Sequence, residues 1–141
     1  MSHEAYYLKH VPAQVQALSA RLSDGALLMA WEAVNKAHNE SPNEPANIPG
    51  VGIVQPAELH TVWGWVLDVV KSRHCDEWEA RNEADYAEIT AKAAAMQGVA
   101  PEVVDWDAVP DDLFDGKASA LDHAVLVLSE HAARDLLAVT A

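Results

Sequence analysis

Fifteen residues from Glu102 to Gly116 (EVVDWDAVPDDLFDG) hold six acids, no base and two large aromatics. Asp105, Asp107, Asp111, Asp112 and Asp115 alternate with apolar side chains, among them Trp106 and Phe114. Acid interleaved with aromatic suits docking on a basic, partly apolar protein surface. There the aspartates steer the encounter and the aromatics anchor it. The opposite arrangement turns both aromatics inward to cap the helices and leaves only the acids wet. A calcium loop does not fit, because the mid-loop glycine and the terminal glutamate are missing.

Upstream, Asp76, Glu77, Glu79, Glu83, Asp85 and Glu88 fall in one helical stretch, with Glu79 and Glu83 on a shared face at i, i+4. Carboxylates so placed either hold magnesium for nucleotide hydrolysis or form the solvated face of a helix. Arg81 and Lys92, interleaved among them, fit the second reading. Glu79 and Glu83 therefore join the expected partner-binding surface.

Seven histidines raise the question of metal, but no two have chelating spacing on one helix. His123 and His131 are separated by about 12 Å of helical rise, too far to share one ion. His74 and Cys75 are adjacent and point about 100° apart on a helix. A site would need ligands from separate helices. No metal and no cofactor are expected from the spacings. Cys75 is the sole cysteine, which excludes a disulfide framework within the chain. Pro49-Gly50-Val51-Gly52 has no following Lys-Ser/Thr and no preceding strand, so it reads as a turn and not as a phosphate cradle.

The elements that must position these residues are helical. Half of the 141 residues are hydrophobic, alanine is abundant, and β-branched runs are few. Val11, Val15, Leu18 and Leu22 form one stripe after Pro12; Leu27, Trp31, Val34 and His38 form another, out of phase across Ser23-Asp24-Gly25. Glu40 to Pro56, with four prolines and two glycines, reads as a loop in which Val51, Ile53 and Val54 tuck inward. Residues 57–97 contain no proline and only Gly64, with apolar steps of three or four throughout. One helix of that length is about 60 Å long, against a diameter under about 40 Å for a compact chain of this size. It must break, with Lys71 to Cys75 the place where composition changes, or protrude and pair. A last helix carries Leu121, Val125, Leu128, Ala132, Leu136 and Val139 on one face. The expected fold is all-α: a single helical domain over 1–141, a four- to five-helix bundle with one long central helix.

Net charge is −13. Its placement is uneven, with seven acids against five bases up to Cys75 and fifteen against four beyond it. Direct nucleic-acid binding is excluded, since phosphate contacts need clustered Lys and Arg. No apolar run approaches a membrane span, and Glu4 stands where a signal peptide needs apolar residues, so a cytoplasmic protein is expected. The expected function is a small acidic interaction module that binds a basic surface of a protein partner. One version is an inhibitor occupying a nucleic-acid site, as phage-type DNA mimics do. The alternatives are a phage or mobile-element assembly or chaperone protein and a magnesium-dependent all-α nucleotide hydrolase. A homodimer or higher assembly is expected, because a protruding helix would leave Trp78, Tyr86, Ile89 and Met96 bare.

Overall fold

The chain is described by a computed structural model covering residues 3–140, with side chains described over 4–136. Val139 of the expected apolar stripe has its side chain outside the described residues. Six helices and one small hairpin make up the regular structure: α1 (His3–Leu8), α2 (Ala13–Ser19), α3 (Asp24–Glu40), β1 (Ala46–Ile48), β2 (Gly52–Val54), α4 (Pro56–Ser72), α5 (Cys75–Gln97) and α6 (Ala120–Thr140). Ser23 starts α3 by accepting the Ala26 amide on its Oγ at 3.1 Å. Pro56 starts α4, where its missing N–H has no helical acceptor to satisfy. Ser119 and Asp122 start α6 with a reciprocal capping box, each side-chain oxygen accepting the other's amide.

The core lies where α3, α4 and α6 meet. Leu27 and Val34, Leu59 and Val70, and Val127 and Leu128 come from these three helices and are almost wholly buried. Each such side chain contributes about 1.5–3 kcal/mol on leaving water. The near-continuous apolar surface of α4 is explained by its neighbours, since α1, α2, α3, α6 and β2 all pack on it. On α6 the fully buried side is Ala124, Val127 and Leu128, a rotation from the expected stripe that leaves Leu136 exposed.

Two expectations are corrected. The Glu40–Pro56 segment is not structureless. β1 and β2 pair antiparallel with Ala46 opposite Val54 and Ile48 opposite Gly52. Ile48 and Val54 face the core, while Val51 and Ile53 are exposed. Three-residue strands are too short to show alternation, so the prolines dominate the sequence pattern.

The second correction concerns the long helix, which is two. Between α4, of 17 residues, and α5, of 23, His74 sits at φ 52°, ψ 34°, the left-handed region that side chains with a Cβ rarely adopt. Side chains supplement the last carbonyls of α4: that of Val69 keeps its helical bond from the Arg73 amide (3.1 Å) and also takes Ser72 Oγ (2.7 Å), and that of Lys71 takes the Trp78 indole N–H (2.8 Å). The break folds the start of α5 onto α1 and α6, so Trp78 and Ile89 are buried while Tyr86 and Met96 are exposed. Half of the bare stripe that motivated a homodimer is thereby covered. Among the described residues no helix is long and apolar enough to cross a membrane.

The Tyr7 hydroxyl holds α1 to α5 by donating to Glu79 Oε1 at 2.6 Å, with its ring against Trp78. Burial, joined by the Glu79 bond and charge, pushes the Tyr7 phenol well above its ordinary range. With the folded pKa above the unfolded one, the phenol's contribution to stability is complete below about pH 10 and is lost as pH rises beyond it. Tyr7→Phe should cost about 1–2 kcal/mol near neutrality and reduce the alkaline loss of stability. Denaturant melts at about pH 9 and about pH 11 check this; an alkaline loss equal to that of the parent contradicts it.

Candidate functional site

The acidic–aromatic segment forms a strap that runs back along the distal half of α5. Gly98, at φ 67°, ends the helix in the left-handed conformation that glycine adopts without strain, and the Val99 amide bonds back to the Ala94 carbonyl at 3.1 Å. Gln97, the last residue of α5, then grips the strap. Its Nε2 donates to the Asp105 carbonyl (2.8 Å) and its Oε1 accepts the Asp105 amide (2.9 Å). Asp105 Oδ1 accepts the Asp107 amide at 3.1 Å, closing a short 3-10 turn at Trp106–Ala108. Further along, Lys117 ties the strap to α5 through Glu88, with Asp85 Oδ1 3.8 Å away. The pairing raises the Lys117 pKa and lowers that of Glu88.

Neither aromatic enters the core. Trp106 is 38 % exposed and stacks on Tyr86, with ring centroids 5.5 Å apart, and Phe114 is 45 % exposed. Tyr86, Met96, Val99 and Val103, on α5 and the strap, are exposed as well. Asp105, Asp107, Asp111, Asp112 and Asp115 are all exposed in the same strap. The structure thus brings seven of the nine expected partner-binding residues onto one element. Glu79 is not among them, being half-buried and bonded to Tyr7 at the opposite end of α5. Glu83 is exposed on α5 itself.

The α5 carboxylates do not converge. Glu77 faces His131 at 2.7 Å, Glu79 takes Tyr7, Asp85 faces His123 at 2.8 Å, and Glu88 takes Lys92 and Lys117. Asp85 and Glu88 share a partner, Lys117, while Glu77 and Glu79 face others. Cys75 is buried, and burial together with Asp76 and Glu79 pushes its thiol up, away from the thiolate a nucleophile needs.

A second constellation lies at the α4–α5 break, where sequence spacing shows nothing. Asp24 Oδ1 accepts Arg73 Nη1 at 2.8 Å, and Oδ2 lies 3.0 Å from His74 Nε2. The Arg73 fork also donates to the carbonyls of Ser19 (3.0 Å) and Leu22 (3.3 Å). Burial works against the Asp24 carboxylate, but the hydrogen bonds from Arg73 and His74 outweigh it and hold the pKa below the usual value. His131, from α6, stacks on His74 with centroids 3.8 Å apart and planes 10° from parallel. Its hydrogen bond to Glu77 lowers the pKa of that acid. Ligand atoms of Asp24, His74 and His131 all lie within 4.8 Å of one another. Adjacency along one helix therefore misses a grouping that α3, the α4–α5 break and α6 assemble.

A partly exposed Trp106 leads to a direct test. Trp106→Ala should cost about 1–2 kcal/mol, the order of an aromatic stack plus partial burial, against about 3–5 kcal/mol for a tryptophan of the core. Thermal melting separates the two, and a loss in the upper range places the ring in the core. No protein family, curated protein or solved structure matches the chain, so function is read from these sites alone.

Proposed function

We propose that the protein is an interaction module that docks, through the 102–116 strap and the adjoining face of α5, onto a basic and partly apolar surface of a protein partner. The carrying observation is that Trp106 and Phe114 of the strap and Tyr86 of α5, stacked on Trp106, are exposed beside five exposed aspartates. Such a surface has a cost in water unless something covers it. The chemistry of the cover follows from charge: six acids and no base in the strap favour a cationic surface. The same sign disfavours a second copy, because pairing two such faces brings acid against acid. A nucleic acid is disfavoured on the same ground.

Two features support a binder over a magnesium hydrolase. The α5 carboxylates spread along the helix onto Tyr7, His131, His123 and a lysine that Asp85 and Glu88 share, whereas an active site gathers them around one substrate. The strap is also held before any partner arrives, by the Gln97–Asp105 pair and the Tyr86–Trp106 stack. Preorganisation lowers the ordering cost of association. Inhibition of a partner's basic nucleic-acid site is the narrower version of this reading and uses the same face; an assembly or chaperone role uses it too.

The test compares captures from the native host by the parent chain and by a variant carrying Asp105, Asp107, Asp111 and Asp112 changed to Asn. The partner lost with the variant is then measured for rates. Its on-rate should fall steeply as salt rises toward physiological strength, where charges are screened over about 8 Å, while the off-rate changes less. Trp106→Ala should raise the off-rate instead. Identical captures by parent and variant, or an on-rate indifferent to salt, contradict the proposal. Sedimentation of the parent as a dimer that the strap variants dissociate would replace the partner by a second copy.

A further inference from the structure

We propose that Asp24, His74 and His131 form a binding site for one divalent transition-metal ion of the zinc class, separate from the strap. The donor set is two imidazoles and one carboxylate, the mixture that suits Zn²⁺ and its neighbours better than Mg²⁺ or Ca²⁺. The three residues come from the first turn of α3, the α4–α5 break and α6, and their ligand atoms already lie within 4.8 Å of one another. Ligands on a tetrahedral ion with bonds near 2 Å sit about 3.3 Å apart. Closing the site therefore takes side-chain adjustment and no movement of helices.

The surroundings are arranged as they are around metal ligands. Asp24 is oriented by its outer oxygen, since Arg73 holds Oδ1 at 2.8 Å and leaves Oδ2 turned to His74. The left-handed backbone at His74 aims its ring back at α3. Glu77 Oε2 lies 2.7 Å from His131 Nε2, so this bond opens when that nitrogen turns to an ion.

One feature sets what must move. The two rings stack in nearly parallel planes, so the in-plane lone pairs run side by side and do not meet. One ring must turn about its Cβ–Cγ bond, and the side chain of His131, 26 % exposed, has room to do so. The other histidine pair, His38 and His60, has ring nitrogens 3.0 Å apart on α3 and α4 but no third ligand beside it among the described residues. It is the natural competitor and serves as the internal control.

The full chain, freed of metal by chelator, is titrated with Zn²⁺ by calorimetry, and long-range imidazole ¹⁵N spectra are recorded with and without the ion. One Zn²⁺ should bind per chain, with Nε2 of His74 and His131 shifting and the His38 and His60 signals staying in place. Asp24→Asn, His74→Gln and His131→Gln should each weaken binding by at least about tenfold, and His38→Gln and His60→Gln by under about twofold. Should a variant at the break fail to fold, the spectra of the parent chain decide. Shifts confined to His38 and His60, affinity retained by His131→Gln, or no saturable binding overturns the site.

Discussion

One carboxylate ties the two halves of the molecule together. Asp24 receives Arg73 on one oxygen and faces His74 with the other, 49 and 50 residues away in sequence. These residues end α4 and begin α5, so the direction in which the second helix leaves the first is set by an acid at the start of α3. The left-handed backbone at His74 costs on the order of 1–3 kcal/mol and persists only where surroundings over-determine it. Here they do: the Arg73 fork bonds Asp24 and two carbonyls, and the Trp78 indole reaches back across the break to Lys71. The pair is partly buried, so removing one partner strands the other charge and is costly.

That constraint divides labour along a 41-residue run. α4 stays inside the bundle and is apolar on nearly every side. α5 starts in the core with Cys75 and Trp78 and leaves it toward its far end, where Ile89, Ala93 and Ala94 are buried and Tyr86 and Met96 face out. A helix with so little main core to pack on needs another cover, and the strap supplies part of it. Gln97 performs for Asp105 what a neighbouring strand would do, satisfying both backbone groups at once. The strap contains no cation before Lys117, so only its end is held to α5 electrostatically. Its acids are left for whatever lies outside.

The helical periodicity was legible throughout because apolar steps of three and four reflect burial on one side, although the buried side of α6 is rotated from the expected stripe and half of the α5 stripe is exposed. The Ser23-Asp24-Gly25 phase slip was legible for the same reason. The break at His74 was not readable beyond a change of composition. No proline or glycine marks it, and the partners that stabilise it stand about fifty positions away. The strap could be recognised as acidic and aromatic, but whether Trp106 points inward depended on Tyr86, twenty residues upstream in another element. The Asp24–His74–His131 grouping is purely tertiary: each residue alone resembles an ordinary surface polar group. Ile48, with prolines on both sides, looked like loop because the hairpin that buries it is only three residues per strand.

The claim that Asp24 sets the course of α5 is tested most directly by a distance. Spin labels placed on exposed positions of α3 and α5, through Lys36→Cys and Ala91→Cys, report the angle between the two helices by electron–electron resonance. The buried Cys75 thiol, pushed up by its surroundings, reacts poorly with the label. The account predicts one narrow distance distribution in the parent chain and a shifted, broadened one when Asp24→Asn removes the charge that holds Arg73 and His74. Superimposable narrow distributions with and without Asp24→Asn would contradict it.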